Sequence, residues 1–152
     1  MNITIIQVGK TRTNFIEAAE QEYSKRLQVD AKLHVKTLKS GKGEVVKMKE
    51  DEGQSIIEAI PENSFVIVLH EYGKMLTSPE FAELIEQKRS TGTSHITFII
   101  GGTYGLSDSV LNRADFTLSF SKMTFTHEMI RPLLLEQLYR AFSIIKGKTY
   151  HY

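Results

Sequence analysis

Phe65-Val-Ile-Val-Leu69 decides the fold, because it is apolar at every position. A strand with one wet face alternates apolar and polar residues. A short unbroken run instead suits a parallel strand covered on both faces. Ile96-Thr-Phe-Ile-Ile100 and Ile3-Thr-Ile-Ile-Gln-Val8 read the same way, and Leu33, Val35 and Thr37 alternate as a further short strand. Phe116 to Phe120 reads as the last strand.

Helical patterns lie between these runs. Phe15, Ile16, Ala19, Tyr23 and Leu27 recur at helical spacing, with Asn14 as the expected N-cap. The spacing predicts a helix from Val45 to Ala59, ended by Pro61 and preceded by the loop Lys39-Ser-Gly-Lys-Gly43. Thr77-Ser-Pro-Glu80 has the hydroxyl, proline and acid of a helix start. A short helix is expected from Leu106 to Ala114, opened by Ser107 or Asp108, and a final one from Ile130 to Lys146, ended by Gly147. Strands alternating with helices predict an α/β fold: a mostly parallel sheet with helices on both faces.

The length of 152 residues suits a single domain over residues 1–152 with one continuous core. A composition 41% hydrophobic and 24% charged excludes disordered and fibrous classes. Without cysteine there is no disulfide framework and no thiolate nucleophile, which fits a reducing cytoplasm. The first residues lack a signal-peptide pattern, and no apolar run approaches membrane-spanning length, so no membrane association is expected. The five histidines lack ligand spacing, so no metal is expected; His34 and His95 read as incidental surface residues. A net charge of +1 means that any nucleic-acid binding must use a local patch.

In a parallel sheet ligands bind at the carboxyl ends of the strands. That rule selects Leu69-His70-Glu71, the turn Gly101-Gly-Thr-Tyr-Gly105 and the loop after Phe120. The glycine turn has neither dinucleotide nor phosphate-loop spacing, and by itself it reads as a tight strand-to-helix turn. The loop Phe120-Ser-Lys-Met-Thr-Phe125 mixes rings, sulfur and hydroxyls, which suits either an aromatic base on a polar sugar or a strand end with core phenylalanines. Ser121 and Lys122 are adjacent on an extended chain, so they do not make a nucleophile and base.

His127, Arg131, Glu136 and Arg140 flank or lie on the last helix. Glu136 and Arg140 are four residues apart and read first as a surface salt bridge. Arg131 at a helix start opposes the macrodipole, a cost that a phosphate or RNA contact would explain. Lys32, Lys36, Lys39 and Lys42 form a cationic cluster, by default a solvated face. Lys146, Lys148 and His151 interleave with Tyr150 and Tyr152, as in a surface for unpaired bases.

Several of these segments together are specific. Ile3 to Lys10, Glu52-Gly-Gln54, Phe98-Ile-Ile-Gly-Gly-Thr-Tyr-Gly105, Leu118-Ser-Phe-Ser-Lys-Met-Thr-Phe-Thr-His127, Leu135-Glu-Gln-Leu-Tyr-Arg-Ala141 and Tyr150-His151 span essentially the whole chain. In them the chain resembles the SPOUT-class ribosomal RNA large subunit methyltransferase H family, which methylates N3 of a pseudouridine. Thr126 and Tyr104 depart from the family pattern, standing where proline and a small or polar residue are usual.

The resemblance implies a trefoil-knotted sheet, a homodimer and a large-subunit ribosomal RNA substrate in the ribosome. It implies an S-adenosyl-L-methionine site formed by Leu69, Gly101, Phe120, Ser121, Lys122, Met123, Thr124 and Phe125. The catalytic expectation is that His127 or His151 accepts a proton, Arg131 and Arg140 hold RNA phosphate or a developing anion, and Tyr150 packs on the base. Pattern reasoning alone argues against a knot.

Overall fold

The apolar runs pair into one five-stranded sheet in the computed structural model, which describes residues 1–150. The strands are β1 (Asn2–Val8), β2 (Lys32–Leu38), β3 (Phe65–Met75), β4 (His95–Ile100) and β5 (Phe116–Ser119). The helices between and after them are α1 (Asn14–Leu27), α2 (Val45–Ala59), α3 (Ser78–Ser90), α4 (Asp108–Arg113) and α5 (Ile130–Ile145). Strand order is β2-β1-β4-β3-β5, and every named pairing is parallel, as the unbroken apolar runs require.

The period of two divides the core. Ile3 and Ile5 of β1, Ile67 of β3 and Phe98 of β4 face Leu27, Phe81, Ile85, Leu135 and Phe142 from α1, α3 and α5. Ile6, Val8, Val66, Val68 and Ile99 face the other way, onto Ile56 of α2 and Val110 of α4. Helices thus cover both faces, which is why β3 and β4 carry almost no polar residue in their paired portions.

Four local features differ from the expectations. Thr13, not Asn14, is the N-cap of α1, and its side chain makes no capping bond. The carboxylate of Glu128 instead fixes the two residues ahead of the helix from across the chain, accepting from Arg12 N at 2.7 Å and Thr13 N at 3.1 Å. β3 runs on past Leu69 to Met75, its register with β5 shifting between Leu69 and Lys74. His95 is not incidental: its Nε2 lies 2.7 Å from the hydroxyl of buried Thr4, and burial holds its pKa down. The start of α3 is as expected, a capping box in which Thr77 and Glu80 satisfy each other's backbone N–H.

Candidate active site

The carboxyl ends of β3, β4 and β5 are neighbours, so the three selected loops do converge. They surround a cleft of about 880 Å³. Its walls come from Leu69 to Glu71, Ile100 to Leu106 and the segment after Leu118, and Thr13 and Ile16 close one side. Of the expected cofactor residues, Leu69, Gly101, Phe120, Ser121, Met123, Thr124 and Phe125 line the cleft. Lys122 does not: it is exposed at the corner of a turn in which Ser121 Oγ accepts from Met123 N at 2.9 Å.

The walls combine apolar side chains with bare backbone. A Cβ on Gly101 would stand 2.9 Å from Leu106 Cγ and 3.1 Å from the Gly105 carbonyl carbon, so the turn closes only around glycine. On the opposite wall Ser119 Oγ donates to the Ser121 carbonyl at 2.9 Å. Thr124 Oγ1 donates to Glu71 Oε2 at 3.3 Å, joining the loop after β5 to the irregular stretch of β3. Apolar walls for a ring, hydroxyls and a carboxylate for a sugar, and a glycine edge fit an adenosine-bearing methyl donor in size and donor set.

His127 lines the cleft and is half-buried. Burial and then the charge of Arg131 hold its pKa below the usual histidine value, while Glu128 and Glu52 oppose the shift. Its imidazole is therefore a proton acceptor at neutral pH. Thr126, the departure from proline, uses its hydroxyl to accept from Met129 N at 3.1 Å, capping the turn that leads into α5.

Arg131 requires a correction. Its side chain is 1% exposed, with Nη2 donating to the Val8 carbonyl at 2.8 Å and Nη1 to Thr11 Oγ1 at 2.9 Å. A guanidinium so enclosed does not reach an RNA phosphate; it fastens α5 to the end of β1.

Arg140 and Tyr150 also lie away from the cleft of their own chain. Arg140 grips Glu136 through Nε at 3.0 Å and Nη2 at 2.6 Å, and its guanidinium lies 4.9 Å from the Tyr150 ring centre. The salt bridge is present as expected, but it is largely shielded rather than on the open surface. Tyr150 packs edge-on against Tyr139 and donates to Glu136 Oε1 at 3.3 Å. Burial first, then Tyr23 and Glu136, push its pKa up, so its phenol stays protonated. His151 lies outside the described residues. The tail lysines are balanced too: Lys146 pairs with Asp30, whose carboxylate is buried, and Lys148 stands 3.9 Å from it.

Tyr104 lines the cleft from inside the glycine turn, as its position in the sequence indicates, whereas Thr13, Ile16 and Glu128 were not expected there. Their place depends on the long-range bond from Glu128 to the start of α1. Among the described residues no group of three or more histidines and carboxylates could hold a metal ion, and no helix is long and apolar enough to cross a membrane.

Fold and cleft together define an α/β protein built to hold a nucleotide-sized ligand at its strand ends. A solved structure, of a probable methylase family protein from Haemophilus influenzae Rd KW20, shares the fold with a TM-score of 0.58 at 14% identity, covering 99% of this chain and 70% of that one. The chain belongs to the SPOUT methyltransferase family: the family model described as "Predicted SPOUT methyltransferase" matches residues 1–151. Full-length relatives agree. Ribosomal RNA large subunit methyltransferase H of Clostridium botulinum (strain Okra / Type B1) is 51% identical over 158 residues, covering 99% of both chains. The protein of the same name from Clostridium beijerinckii is 49% identical with the same coverage. The chain is thus a methyltransferase, as the segments from Ile3 to His151 suggested.

Proposed function

We propose that this chain, a single domain acting in the cytoplasm as a homodimer, transfers a methyl group from S-adenosyl-L-methionine to N3 of a pseudouridine in large-subunit ribosomal RNA of the assembled ribosome. The observation that carries the reading is the cleft, where the glycine turn and the loop from Phe120 to Phe125 meet Leu69 beside a proton-accepting histidine. The names of the half-identical relatives support the RNA.

Leu69, Gly101, Phe120, Ser121, Met123, Thr124 and Phe125 would hold the donor. When bound, it supplies an electrophilic methyl group on a sulfonium. The chain's own contribution is mainly to hold the two reactants in line. N3 carries a proton in its neutral form, and His127 accepts it on a ring nitrogen; His151 is the alternative acceptor. Glu71 and Thr124 tie the two sides of the cleft and orient its polar wall.

The homodimer is supported by an exposed apolar collar on or next to the cleft rim. Phe15 is 68% exposed, Met123 77% and Tyr104 54%, with Phe125 and Met129 also exposed, and exposed apolar side chains gathered in this way suit a protein–protein contact. In such a dimer Arg140, Tyr150 and His151 serve the cleft of the other copy. The reading includes a trefoil-knotted passage after β5, supported by the reach of Arg131 from the start of α5 to the carbonyl of Val8.

Isothermal titration with S-adenosyl-L-methionine, followed by incubation with labelled donor and either ribosomes or bulk transfer RNA, tests the reading. Label in ribosomal RNA is expected. Label in transfer RNA alone overturns the substrate, and absence of donor binding leaves only a non-catalytic nucleotide- or RNA-binding module.

A further inference from the structure

Cations are not evenly matched across this surface. Arg26, Arg89, Arg113, Arg140, Lys146 and Lys148 each pair with a carboxylate. Other exposed cations do not, Lys25, Lys32, Lys47, Lys74 and Lys122 among them, and Lys10, Arg12, Lys39 and Lys42 likewise stand exposed without an ion pair among the described residues. The last four also share one place. Lys10 and Arg12 belong to the loop after β1, Lys39 and Lys42 to the loop after β2, and these strands are parallel neighbours.

The two loops touch. Gly9 N donates to the Leu38 carbonyl at 2.8 Å, and a Cβ on Gly9, whose φ is +79°, would stand 2.9 Å from Ser40 Oγ. Each is braced from within by a carboxylate that accepts backbone N–H bonds. Glu128 takes those of Arg12 and Thr13, and buried Glu52 takes that of Gly41 at 2.8 Å. The four cations therefore stand on a prearranged ridge that runs to the cleft, since Thr13 is part of the cleft wall.

We propose that Lys10, Arg12, Lys39 and Lys42 form a phosphate-binding ridge that seats the backbone of the substrate RNA beside the cleft. The ridge rests on the RNA methyl-transfer reading and extends it with a binding surface. A protein of net charge +1 has no overall attraction for a polyanion, so its affinity must come from such a local excess. Two other lysines of the cationic cluster are placed differently. Lys36 Nζ donates to the Ala59 carbonyl at 2.8 Å, and Lys32 opens β2 at the amino edge of the sheet.

Filter binding of labelled ribosomes across a salt series tests the ridge, comparing K10Q/K39Q with K25Q/K32Q, an equal charge change at the amino edge. The ridge variant should bind at least 10-fold more weakly at low salt, and its log-log salt slope should be shallower by about 1.4, roughly 0.7 for each single-strand phosphate that is no longer neutralised. Its affinity for S-adenosyl-L-methionine should be unchanged. R12Q/K42Q carries the same test if the first variant does not fold. An unchanged slope, or an equal loss in K25Q/K32Q, overturns the ridge. A chain that binds RNA through the ridge yet takes up no methyl donor upholds the ridge and fails the methyl-transfer reading.

Discussion

The two ends of α5 carry similar residues in opposite circumstances. At its start Arg131 is enclosed, bonded to the Val8 carbonyl and Thr11. Toward its finish Arg140 pairs with Glu136 beneath the Tyr150 ring, half-shielded and away from the cleft of its own chain. Sequence position suggested one role for both, contact with RNA. Packing divides them: the first arginine fastens α5 to the end of β1, while the second belongs to a cluster of rings and charges outside the cleft.

Removing Thr149 to Tyr152 should sharpen the division most. Turnover on ribosomes should fall to background while calorimetric affinity for S-adenosyl-L-methionine stays nearly intact; unchanged turnover would end the tail's part in catalysis. His127→Asn should lower kcat by about 10²-fold. In the unaltered chain the rate should persist at pH 6.5 and fall only as pH drops through the lower pKa of His127, because the acceptor must be neutral. An acid limb above pH 6.5 would contradict this.

Arg131→Met should cost about 3 kcal/mol of stability in urea unfolding, since it leaves the Val8 carbonyl without its charged donor. It should also shift the acid limb upward, because the Arg131 charge helps to depress His127. Arg140→Met should cost only about 0.5 kcal/mol, as a partly shielded pair does. Equal losses at the two arginines would erase the contrast. The smallest of the stability changes outside Arg140 is Glu128→Ala, at about 1 kcal/mol for the lost bonds from Arg12 N and Thr13 N. Glu128 has a lowered pKa, so its contribution is present above about pH 4.5 and disappears as pH falls through that lowered value.

The strands were legible because burial on both faces leaves residues 65–69 of β3 and 96–100 of β4 with one polar residue, Thr97, whose hydroxyl lies 2.5 Å from that of Ser64. The loop from Phe120 to Phe125 was legible as part of a cleft because it follows the carboxyl end of a strand, although its rings read equally as core, and Phe120 does pack against the core. Arg131 was not. An arginine at a helix start looks exposed until its carbonyl partner, far away in the chain, is known. The start of α1 was obscure for the same reason: Asn14 is a good local candidate for the cap, but Thr13 takes that position and a carboxylate from the far end of the chain holds the residues there. The extension of β3 through His70-Glu-Tyr-Gly73 lacks any apolar pattern and is held by its neighbour β5.

The bond from Glu128 to the start of α1 also sets a timetable for the newborn chain. The chain just ahead of the first helix to leave the ribosome waits for Glu128 until nearly all of the protein has followed, and the end of β1 waits equally long for Arg131. A product cut short before these residues lacks one wall of the cleft and the two fasteners that shape it, so prematurely ended translation leaves no half-working enzyme to capture methyl donor or ribosomes.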